Sequence, residues 1–344
     1  MAPPLLQVKD LRVRFVTEDG TVRAVDGVSF DLRQGEVLAI VGESGCGKSV
    51  TAQTLLGLTR SPNARIEGSV RYADRELITA SDEELRAIRG EEMAMVFQDP
   101  MTSLNPVYKV GDQITEQILA HSNVSEHVAL EEAVRLLRAV GIPDAERRAG
   151  DYPHEYSGGM RQRAMIAMAL SLEPKILIAD EPSTALDVTI QAQILRLLEL
   201  LNRDRGLAMI MITHDLGVVA EVADRVLVMY AGRIVESGTL DEVFYDPQHP
   251  YTWGLLGSLT RIDQPHAEAL AQISGQPPSM LALPEGCHFQ PRCPHRFERC
   301  MEVPALIERD REGSGHSDRC WLDPDRKREL RQMGDRIGLE VPAA

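Results

Sequence analysis

Short apolar runs separated by glycine and polar residues occupy residues 5–42 and predict buried strands joined by tight turns. The last run, EVLAIVG at residues 36–42, is continuous apolar sequence that closes on glycine. After Lys48 the apolar residues change to helical spacing, with Val50, Leu55 and Leu58 on one face. The pattern therefore predicts a buried strand, a loop and a helix in direct succession.

Helical spacing dominates the middle of the chain. Between about residues 110 and 172, apolar side chains recur at steps of three and four residues, and Gly141 ends one such segment. The members of that segment are Leu130, Val134, Leu137 and Val140. This stretch predicts a helical subdomain over about residues 100–172.

Strand patterns return in the second half of the chain. KILIAD at residues 175–180 and LAMIMIT at residues 207–213 flank an amphipathic helix that Gly206 ends. Two further short strands are predicted around a turn at Gly232. Strands that alternate with helices indicate an α/β fold with a parallel sheet.

The composition changes beyond about residue 245, where the sequence becomes rich in Pro, His and Cys. At 344 residues the chain is long enough for two domains. We therefore predict a first domain over residues 1–245 and a small, irregular, cysteine-containing C-terminal domain over residues 246–344.

Charge and hydropathy limit the partners of the chain. The formal net charge is −15, and an acidic surface repels phosphate backbones, so we expect no nucleic-acid partner. No run of about 18 apolar residues is present to cross a bilayer. The N-terminus lacks the basic and apolar parts of a secretion signal, so we expect the chain to stay in the cytosol.

A phosphate-binding motif lies between the predicted strand and helix. GESGCGKS, which matches G-x-x-x-x-G-K-[ST], consists of Gly42, Glu43, Ser44, Gly45, Cys46, Gly47, Lys48 and Ser49. In such a loop, backbone N–H groups and the following helix N-terminus surround phosphates, the lysine adds a positive charge, and the serine ligates Mg²⁺. The alternative is a glycine-rich turn with a solvated lysine.

Two acidic residues follow the apolar strand at residues 176–179. Asp180 and Glu181 are expected at its exposed end, where Asp180 faces the magnesium ion and Glu181 faces an attacking water. Alone, the pair fits an ordinary surface turn. Together with the phosphate motif, the pair predicts a hydrolytic site.

A second candidate anion site is YSGGMRQR. In it Gly158 and Gly159 precede a helical run, so they form an exposed helix N-terminus with the Ser157 hydroxyl beside it. Two phosphate-binding elements in one chain suggest that each site is completed between two chains. The motif resembles the signature of ATP-binding-cassette (ABC) ATPases, usually LSGGQ, from which Tyr156 and Met160 depart.

The resemblance covers residues from about 5 to 245 and implies a P-loop ABC ATPase cassette that binds ATP and Mg²⁺. It implies catalytic roles for Glu181, for Gln98 as the Q-loop glutamine and for His214 as the switch histidine, and it makes STALD at residues 183–187 the D-loop. The implied nucleotide ligands are residues 42–49, Val50, Phe15, Ser157, Gly158 and Gly159, and the implied magnesium ligands are Ser49, Gln98 and Asp180. For Phe15, whose implied role is stacking on adenine, the alternative is a core position.

Three longer segments resemble the dipeptide/oligopeptide importer subfamily, which also includes nickel importers. They are FQDPMTSLNPVYKVGDQITE at 97–116, PHEYSGGMRQR at 153–163 and DPQHPYTWGLLGSL at 246–259. The resemblance implies an ATP-hydrolysing subunit that powers peptide import from the cytoplasmic face of the inner membrane, as a peripheral protein. The implied partners are a second cassette (a copy or a paralogue), two transmembrane permease subunits and, through them, an extracytoplasmic substrate-binding protein.

Other functions stay open at this point. The chain could be a soluble non-transport or regulatory ABC ATPase, or an importer subunit for nickel or another solute. A third alternative, a cysteine-metal sensor with a degenerate ATP site, conflicts with the intact Lys48, Asp180, Glu181 and His214.

Four of the five cysteines cluster near the C-terminus, at Cys287, Cys293, Cys300 and Cys320. Five, six and nineteen residues separate them, which is wider than the spacing usual at paired zinc-ligand cysteines. In a reducing compartment, clustered thiols favour metal ligands or redox centres over structural disulfides. The resemblance implies a 4Fe-4S cluster of structural or regulatory role on these four thiols, and zinc or free thiols are the alternatives.

Overall fold

The computed structural model of the chain describes residues 3–99, 103–182, 187–258, 273–308 and 315–337. Within these residues the strands are β1 Leu6–Thr17, β2 Gly20–Leu32, β3 Val37–Val41, β4 Ala64–Tyr72, β5 Arg75–Glu76, β6 Met93–Val96, β7 Ile176–Asp180, β8 Ala208–Thr213, β9 Arg225–Tyr230, β10 Arg233–Thr239, β11 Ile307–Glu308 and β12 Ser317–Asp318. The helices are α1 Lys48–Leu55, α2 Asp82–Ile88, α3 Val110–His121, α4 Glu126–Ala139, α5 Ala145–Arg148, α6 Gly158–Leu170, α7 Val188–Arg205, α8 Leu216–Val222, α9 Leu240–Tyr245, α10 Pro250–Gly257 and α11 Pro324–Ile337.

The chain divides into two compact units that interleave along the sequence. The first consists of Met1–Leu5, Leu32–Val37 and Thr79–Ile212, and the second of Leu6–Asp31, Leu38–Ile78 and Thr213–Ala344. The elements predicted from apolar periodicity are confirmed, because a strand ends at Val41, a helix begins at Lys48, and helices fill most of residues 110–170. The place of Leu58 on the packed face of the first helix is wrong, because α1 ends at Leu55 and Leu58 is exposed.

The first unit contains a parallel strand group. Strand β7 pairs with β6 on one side, with Ile176 opposite Met93, and with β8 on the other, with Asp180 opposite Ile212. Residues Ile176–Asp180 are all buried, which explains the continuous apolar sequence of this strand. Unlike the four apolar residues before it, Asp180 carries a carboxylate, which lies at the end of this fully buried strand.

The helical subdomain of this unit is built on α3, α4 and α6, which pack against one another. Ser125 caps α4 by accepting a hydrogen bond from the N–H of Val128. At Gly111, the second residue of α3, a Cβ atom would lie 2.7 Å from the carbonyl oxygen of Ala149, so glycine permits this close approach.

The second unit contains two sheet regions. In one, the order is β2-β1-β4-β5, and β1 and β4 are antiparallel with Leu6 opposite Tyr72. In the other, β3 and β9 are parallel, and β9, β10, β12 and β11 follow as antiparallel neighbours. The turn at Gly232 joins β9 to β10, as the sequence predicts.

The C-terminal extension, residues 246–344, shares the core of the second unit. Tyr251 and Phe289 are buried in one apolar cluster with Val41 of β3 and Val228 of β9. Helix α11 is tied to β12 by an ion pair between Lys327 and Asp318, 2.7 Å long, whose side chains are fully buried. The extension contributes directly to the apolar cluster of the second unit, so the domain boundary at residue 245 stays a prediction.

Among the described residues, no helix has both the length and the apolar content that a bilayer crossing requires.

Candidate functional site

The phosphate motif forms a loop that closely approaches two neighbouring backbone segments. A Cβ atom on Gly42 (φ 150°) would lie 2.1 Å from the carbonyl oxygen of Met229, and one on Gly47 (φ 105°) would lie 2.2 Å from that of Ala24. A side chain at either position would collide with main chain, which has no freedom to move aside. Gly42 and Gly47 are therefore required by the fold of the loop.

Lys48 is buried, with an exposed fraction of 6%, at the start of α1. Its Nζ donates hydrogen bonds to the carbonyl oxygens of Gly42 (2.7 Å) and Glu43 (3.0 Å). The ammonium group is thus held inside the concave side of the loop, and Ser49 follows it in the first turn of the helix. This arrangement places a positive charge, a helix N-terminus and a hydroxyl group together, as a phosphate site requires.

Two residues of the C-terminal extension contact the same loop, and the sequence does not predict either. The N–H of Glu43 donates to the hydroxyl oxygen of Tyr251 (2.8 Å). Arg292 makes a two-pronged ion pair with the Glu43 carboxylate, at 2.6 and 3.0 Å. Because 249 positions separate Arg292 from Glu43, no local pattern could have predicted their contact.

The acidic pair lies at the end of β7 in the first unit. Asp180 is 2% exposed, and the N–H of Glu181 donates to the carbonyl oxygen of Ile212 (2.8 Å). Glu181 has φ 50°, in the left-handed region that a residue with a Cβ seldom adopts. The Nε2 of Gln98 donates to Oε2 of Glu181 (3.1 Å), so two of the predicted catalytic residues lie in contact.

The signature-like motif starts α6. Ser157 is the N-cap, and its Oγ accepts a hydrogen bond from the N–H of Met160 (3.3 Å). Ser157 is exposed, and among the described residues no atom lies within 4 Å of the Cβ position of Gly158 apart from its chain neighbours and its own helix backbone, so the helix N-terminus is open. Tyr156 is 3% exposed and its hydroxyl donates to the carbonyl of Arg148 (2.9 Å), while burial raises the pKa of Tyr156 to about 12. The buried Tyr156 side chain therefore fixes the position of the start of the motif.

The other residues predicted to act at the nucleotide site lie on different elements of the fold. His214 is exposed directly after β8 in the second unit. Phe15 is half-buried on β1 opposite Ala64, which is compatible with either of its predicted roles. In the predicted D-loop, residues 183–186 lie outside the described residues, and Asp187 caps α7 by accepting from the N–H of Ile190.

The four clustered cysteines line one small pocket of the second unit, together with His249 and His295. None of the four forms a disulfide. Burial, together with the neighbouring thiols, raises the pKa of Cys293 to about 12, and burial raises the pKa of Cys320 to about 12. The thiols of Cys293 and Cys320 are therefore neutral in the arrangement that the structure shows.

A formed metal site is absent from this arrangement. Across the described part of the chain, no set of three or more His, Cys, Asp or Glu side chains has the geometry of a metal site. The donor set itself, four sulfur atoms around one pocket, has the chemistry that iron-sulfur clusters and zinc select. The four sulfur donors thus have the chemistry that an iron-sulfur cluster or zinc requires, whereas their positions do not have the geometry of a metal site.

Comparison with known protein families gives two matches. Residues 25–184 match the family described as ABC transporter, and residues 235–300 match the family described as oligopeptide/dipeptide transporter, C-terminal region. The first match contains the phosphate loop, the signature-like motif and the acidic pair. The second contains Cys287, Cys293 and Cys300.

Curated proteins resemble the chain along most of its length. It is 56% identical over 307 residues to the oligopeptide transport ATP-binding protein OppD of Escherichia coli K12, covering 89% of this chain and 90% of that protein. It is 52% identical over 333 residues to the dipeptide transport ATP-binding protein DppD of Bacillus subtilis 168, covering 96% and 98% of the two chains.

Solved structures resemble the fold at lower identity. The dimeric ATP-binding cassette MJ0796, in a post-hydrolysis state bound to ADP and Pi, superposes with a TM-score of 0.63 at 26% identity. The match covers 68% of this chain and 98% of that cassette. CbiO1 from Clostridium perfringens, part of the ABC transporter complex CbiONQ, gives a TM-score of 0.59 at 29% identity and covers 71% and 92% of the two chains.

Proposed function

This chain belongs to the ABC transporter ATP-binding proteins, in the branch of oligopeptide and dipeptide transport, and on that basis we propose that it hydrolyses ATP to power peptide import. The observation that carries this proposal is the identity of 56% with an oligopeptide transport ATP-binding protein over nearly the whole chain. The contact between Gln98 and Glu181 supports it independently, because it orients a carboxylate at the end of a buried strand.

In the proposed mechanism, each side chain acts on a different part of the nucleotide. Lys48 neutralises charge on the phosphates, and the loop N–H groups and α1 bind their oxygens. Glu181 accepts a proton from the attacking water, and Gln98 holds the Glu181 carboxylate through its Nε2. The role proposed for His214 is to position the terminal phosphate.

The proposed magnesium ligands are Ser49, Asp180 and Gln98. A magnesium ion held by these residues would neutralise negative charge on the phosphates. Asp180 suits this role because its carboxylate lies at the end of β7, next to Glu181 in the chain. The adenine partner in this proposal is Phe15.

The partners follow from the family. ABC transporter ATP-binding proteins act with membrane permease subunits and pair through their cassettes, so this chain is proposed to form a cassette dimer with a copy or a paralogue. Ser157, Gly158 and Gly159 then contact the nucleotide held by the other cassette, since their helix N-terminus is open. We place the subunit peripherally on the cytoplasmic face of the membrane, served by an extracytoplasmic substrate-binding protein through the permease.

For the extension, we propose a 4Fe-4S cluster held by Cys287, Cys293, Cys300 and Cys320, with zinc as the alternative. The support is that all four thiols line one pocket without forming disulfides. A bound cluster supplies a cross-link among loops that have little regular structure. Its proposed role is structural or regulatory.

The cluster proposal has a direct chemical test. Anaerobically purified protein is expected to be brown, with about four irons and four sulfides per chain for one such cluster. Cys293→Ser should lose the iron, while Cys46→Ser, which changes the cysteine outside the pocket, should keep it. Colourless wild-type protein that holds stoichiometric zinc would replace the cluster by the alternative and leave the ATPase proposal intact.

Substitution of Glu181 tests the proposed hydrolytic role. Glu181→Gln keeps the shape of the side chain and removes its charge, so ATP turnover by the purified assembly should fall by about 10²- to 10⁴-fold, the usual range for one acid–base group. Binding of ATP should persist, because Lys48 and its loop are unchanged. The measurement is steady-state phosphate release alongside equilibrium ATP binding.

The matched control is Glu199→Gln, which removes a carboxylate from the exposed face of α7. It should hydrolyse ATP at the wild-type rate. A Glu181→Gln assembly that turns over at the rate of this control would refute the role of Glu181 as the base.

A further inference from the structure

The C-terminal extension contacts the phosphate loop at Glu43. The N–H of Glu43 donates to Tyr251, its carbonyl oxygen accepts from Lys48, and its carboxylate is paired with Arg292. The backbone N–H, the backbone carbonyl oxygen and the carboxylate of Glu43 therefore each have a hydrogen-bond partner. Two of the three partners, Tyr251 and Arg292, belong to the extension.

Arg292 is itself firmly held. Its side chain is 5% exposed, and its guanidinium donates further hydrogen bonds to the carbonyl oxygens of Ile273 (3.2 Å) and Ser274 (3.0 Å) and to the hydroxyl of Tyr230 (3.3 Å). Burial alone lowers the pKa of Arg292, but the hydrogen bonds to Glu43 and Tyr230 raise it above its ordinary value. A planar guanidinium with every nitrogen engaged is a rigid support for the carboxylate that it binds.

The charge of Glu43 gives this support a consequence for nucleotide binding. Glu43 is the second residue of the loop that is proposed to surround the phosphates, and its carboxylate is 26% exposed. An unpaired carboxylate at that point repels a triphosphate, and the repulsion is strong where water is partly excluded. Released from Arg292, the Glu43 side chain would also compete for the ammonium group of Lys48, which lies against the Glu43 carbonyl oxygen.

We propose that Arg292 is a positioning residue of the nucleotide site, which neutralises Glu43 and fixes the loop so that Lys48 is available to phosphate. The C-terminal extension is then a functional part of the ATP site of its own chain. This inference rests on the proposed role of the loop at residues 42–49. All the residues that it uses lie in the second unit.

Equilibrium binding of MgATP to the full chain tests the proposal. Arg292→Gln should weaken binding about tenfold or more, because hydrogen-bonded pairs with charged groups are among the strongest in proteins. Glu43→Gln should restore binding in the Arg292→Gln background to within about threefold of wild type, because the repelling charge is gone. If Arg292 served the fold alone, Arg292→Gln would weaken MgATP binding equally in the wild-type and the Glu43→Gln backgrounds.

Two controls separate this proposal from the function on which it rests. Arg331→Gln removes another largely buried arginine of the extension, which pairs with Asp246 and donates to the carbonyl of Pro247, and it should bind MgATP normally. Lys48→Ala should abolish binding. If Lys48→Ala binds as wild type does, the assignment of the loop fails; if Lys48→Ala loses binding while Arg292→Gln keeps it, only the role of Arg292 fails.

A second variant covers the case in which Arg292→Gln does not fold. Arg292→Lys keeps the positive charge but loses the two-pronged geometry, so it should weaken MgATP binding by about threefold and recover with Glu43→Gln. Circular dichroism and thermal unfolding report whether each variant is folded. A folded Arg292→Lys with wild-type affinity, or one that Glu43→Gln does not restore, would overturn the proposal.

Discussion

At the residue scale, the most informative position is Glu181. The sequence predicts its chemistry from two acids after an apolar run, but no sequence pattern predicts its backbone conformation, φ 50°. A residue with a Cβ in this region costs on the order of 1–2 kcal/mol relative to an ordinary conformation. Such a cost is typical of positions where function fixes the residue type, which supports the role proposed for Glu181.

This strain predicts an inverted order of stability for two substitutions. Glu181→Gly should be more stable than Glu181→Ala by about 0.5–1 kcal/mol, because glycine adopts positive φ without a steric penalty. Both variants lose the contact with Gln98, so that loss cancels in the comparison. Denaturant unfolding of the two variants measures the difference.

The control is the same pair of substitutions at Glu199, inside α7. In a helix interior alanine is more stable than glycine by about 1 kcal/mol, so the order should reverse there. If Glu181→Ala were the more stable of its pair, the backbone at Glu181 would carry no strain.

At the element scale, local patterns predicted the fold well where each element is determined by its own residues. The strand Val37–Val41 and the helix from Lys48 follow from apolar spacing and glycine, and the helix from Gly158 follows from its serine cap. The residues that the extension contacts could not be predicted in this way. It depends on side chains such as Phe289, which packs with Tyr251 across the core of the second unit.

The pairing of β12 with β10 is accompanied by a buried ion pair. His316 Nε2 lies 2.9 Å from Oε1 of Glu236, and both side chains are almost completely buried. Burial lowers the pKa of His316, but hydrogen bonding to Glu236 and the negative charges of Glu242 and Asp246 raise it above its ordinary value of 6.5. Protonated His316 therefore stabilises the attachment of the extension.

This shift predicts how the pair contributes to stability at different pH values. A raised pKa means that the contribution is fully present below pH 6.5 and is lost as the pH rises through the higher value of the folded state. The difference in unfolding free energy between wild type and His316→Gln should thus shrink as the pH increases from 6.5. Urea unfolding of the full chain at a series of pH values provides the measurement.

A second pair of variants identifies the source of the effect. In a Glu236→Gln background the substitution at His316 should have little pH dependence, because the partner charge is absent. A difference that stays constant from acid to alkaline pH, or grows, would contradict the proposed ionisation of His316.

At the scale of the whole molecule, the motifs of the site were predictable because each is a short segment with its own chemistry. The residues that bring segments together were not. Arg292 meets Glu43 across 249 positions, and neither residue carries a local signal of the contact. Sequence reasoning thus identified the groups proposed to contact the nucleotide, and the structure added the residues that hold those groups.

The open N-terminus of α6 leads to a prediction about assembly. Ser157 is exposed and the two glycines after it are half-buried, so the start of α6 is accessible, as expected of a surface that contacts the nucleotide of a second cassette. Ser157→Arg should leave MgATP binding to the isolated chain unchanged, because that binding depends on the loop at Lys48. In the assembled transporter the same variant should lose ATP hydrolysis, because a bulky cation would occupy the helix N-terminus.

The matched control is Ser125→Arg, since Ser125 is also an exposed serine that caps a helix, α4. It loses a comparable capping hydrogen bond, worth about 1 kcal/mol, without altering the signature-like motif, so hydrolysis should continue at the wild-type rate. If isolated Ser157→Arg instead lost its affinity for MgATP while its circular dichroism stayed native, the segment would act in the site of its own chain. The separation of binding in one chain from hydrolysis between two chains is what the exposed position of Ser157 predicts.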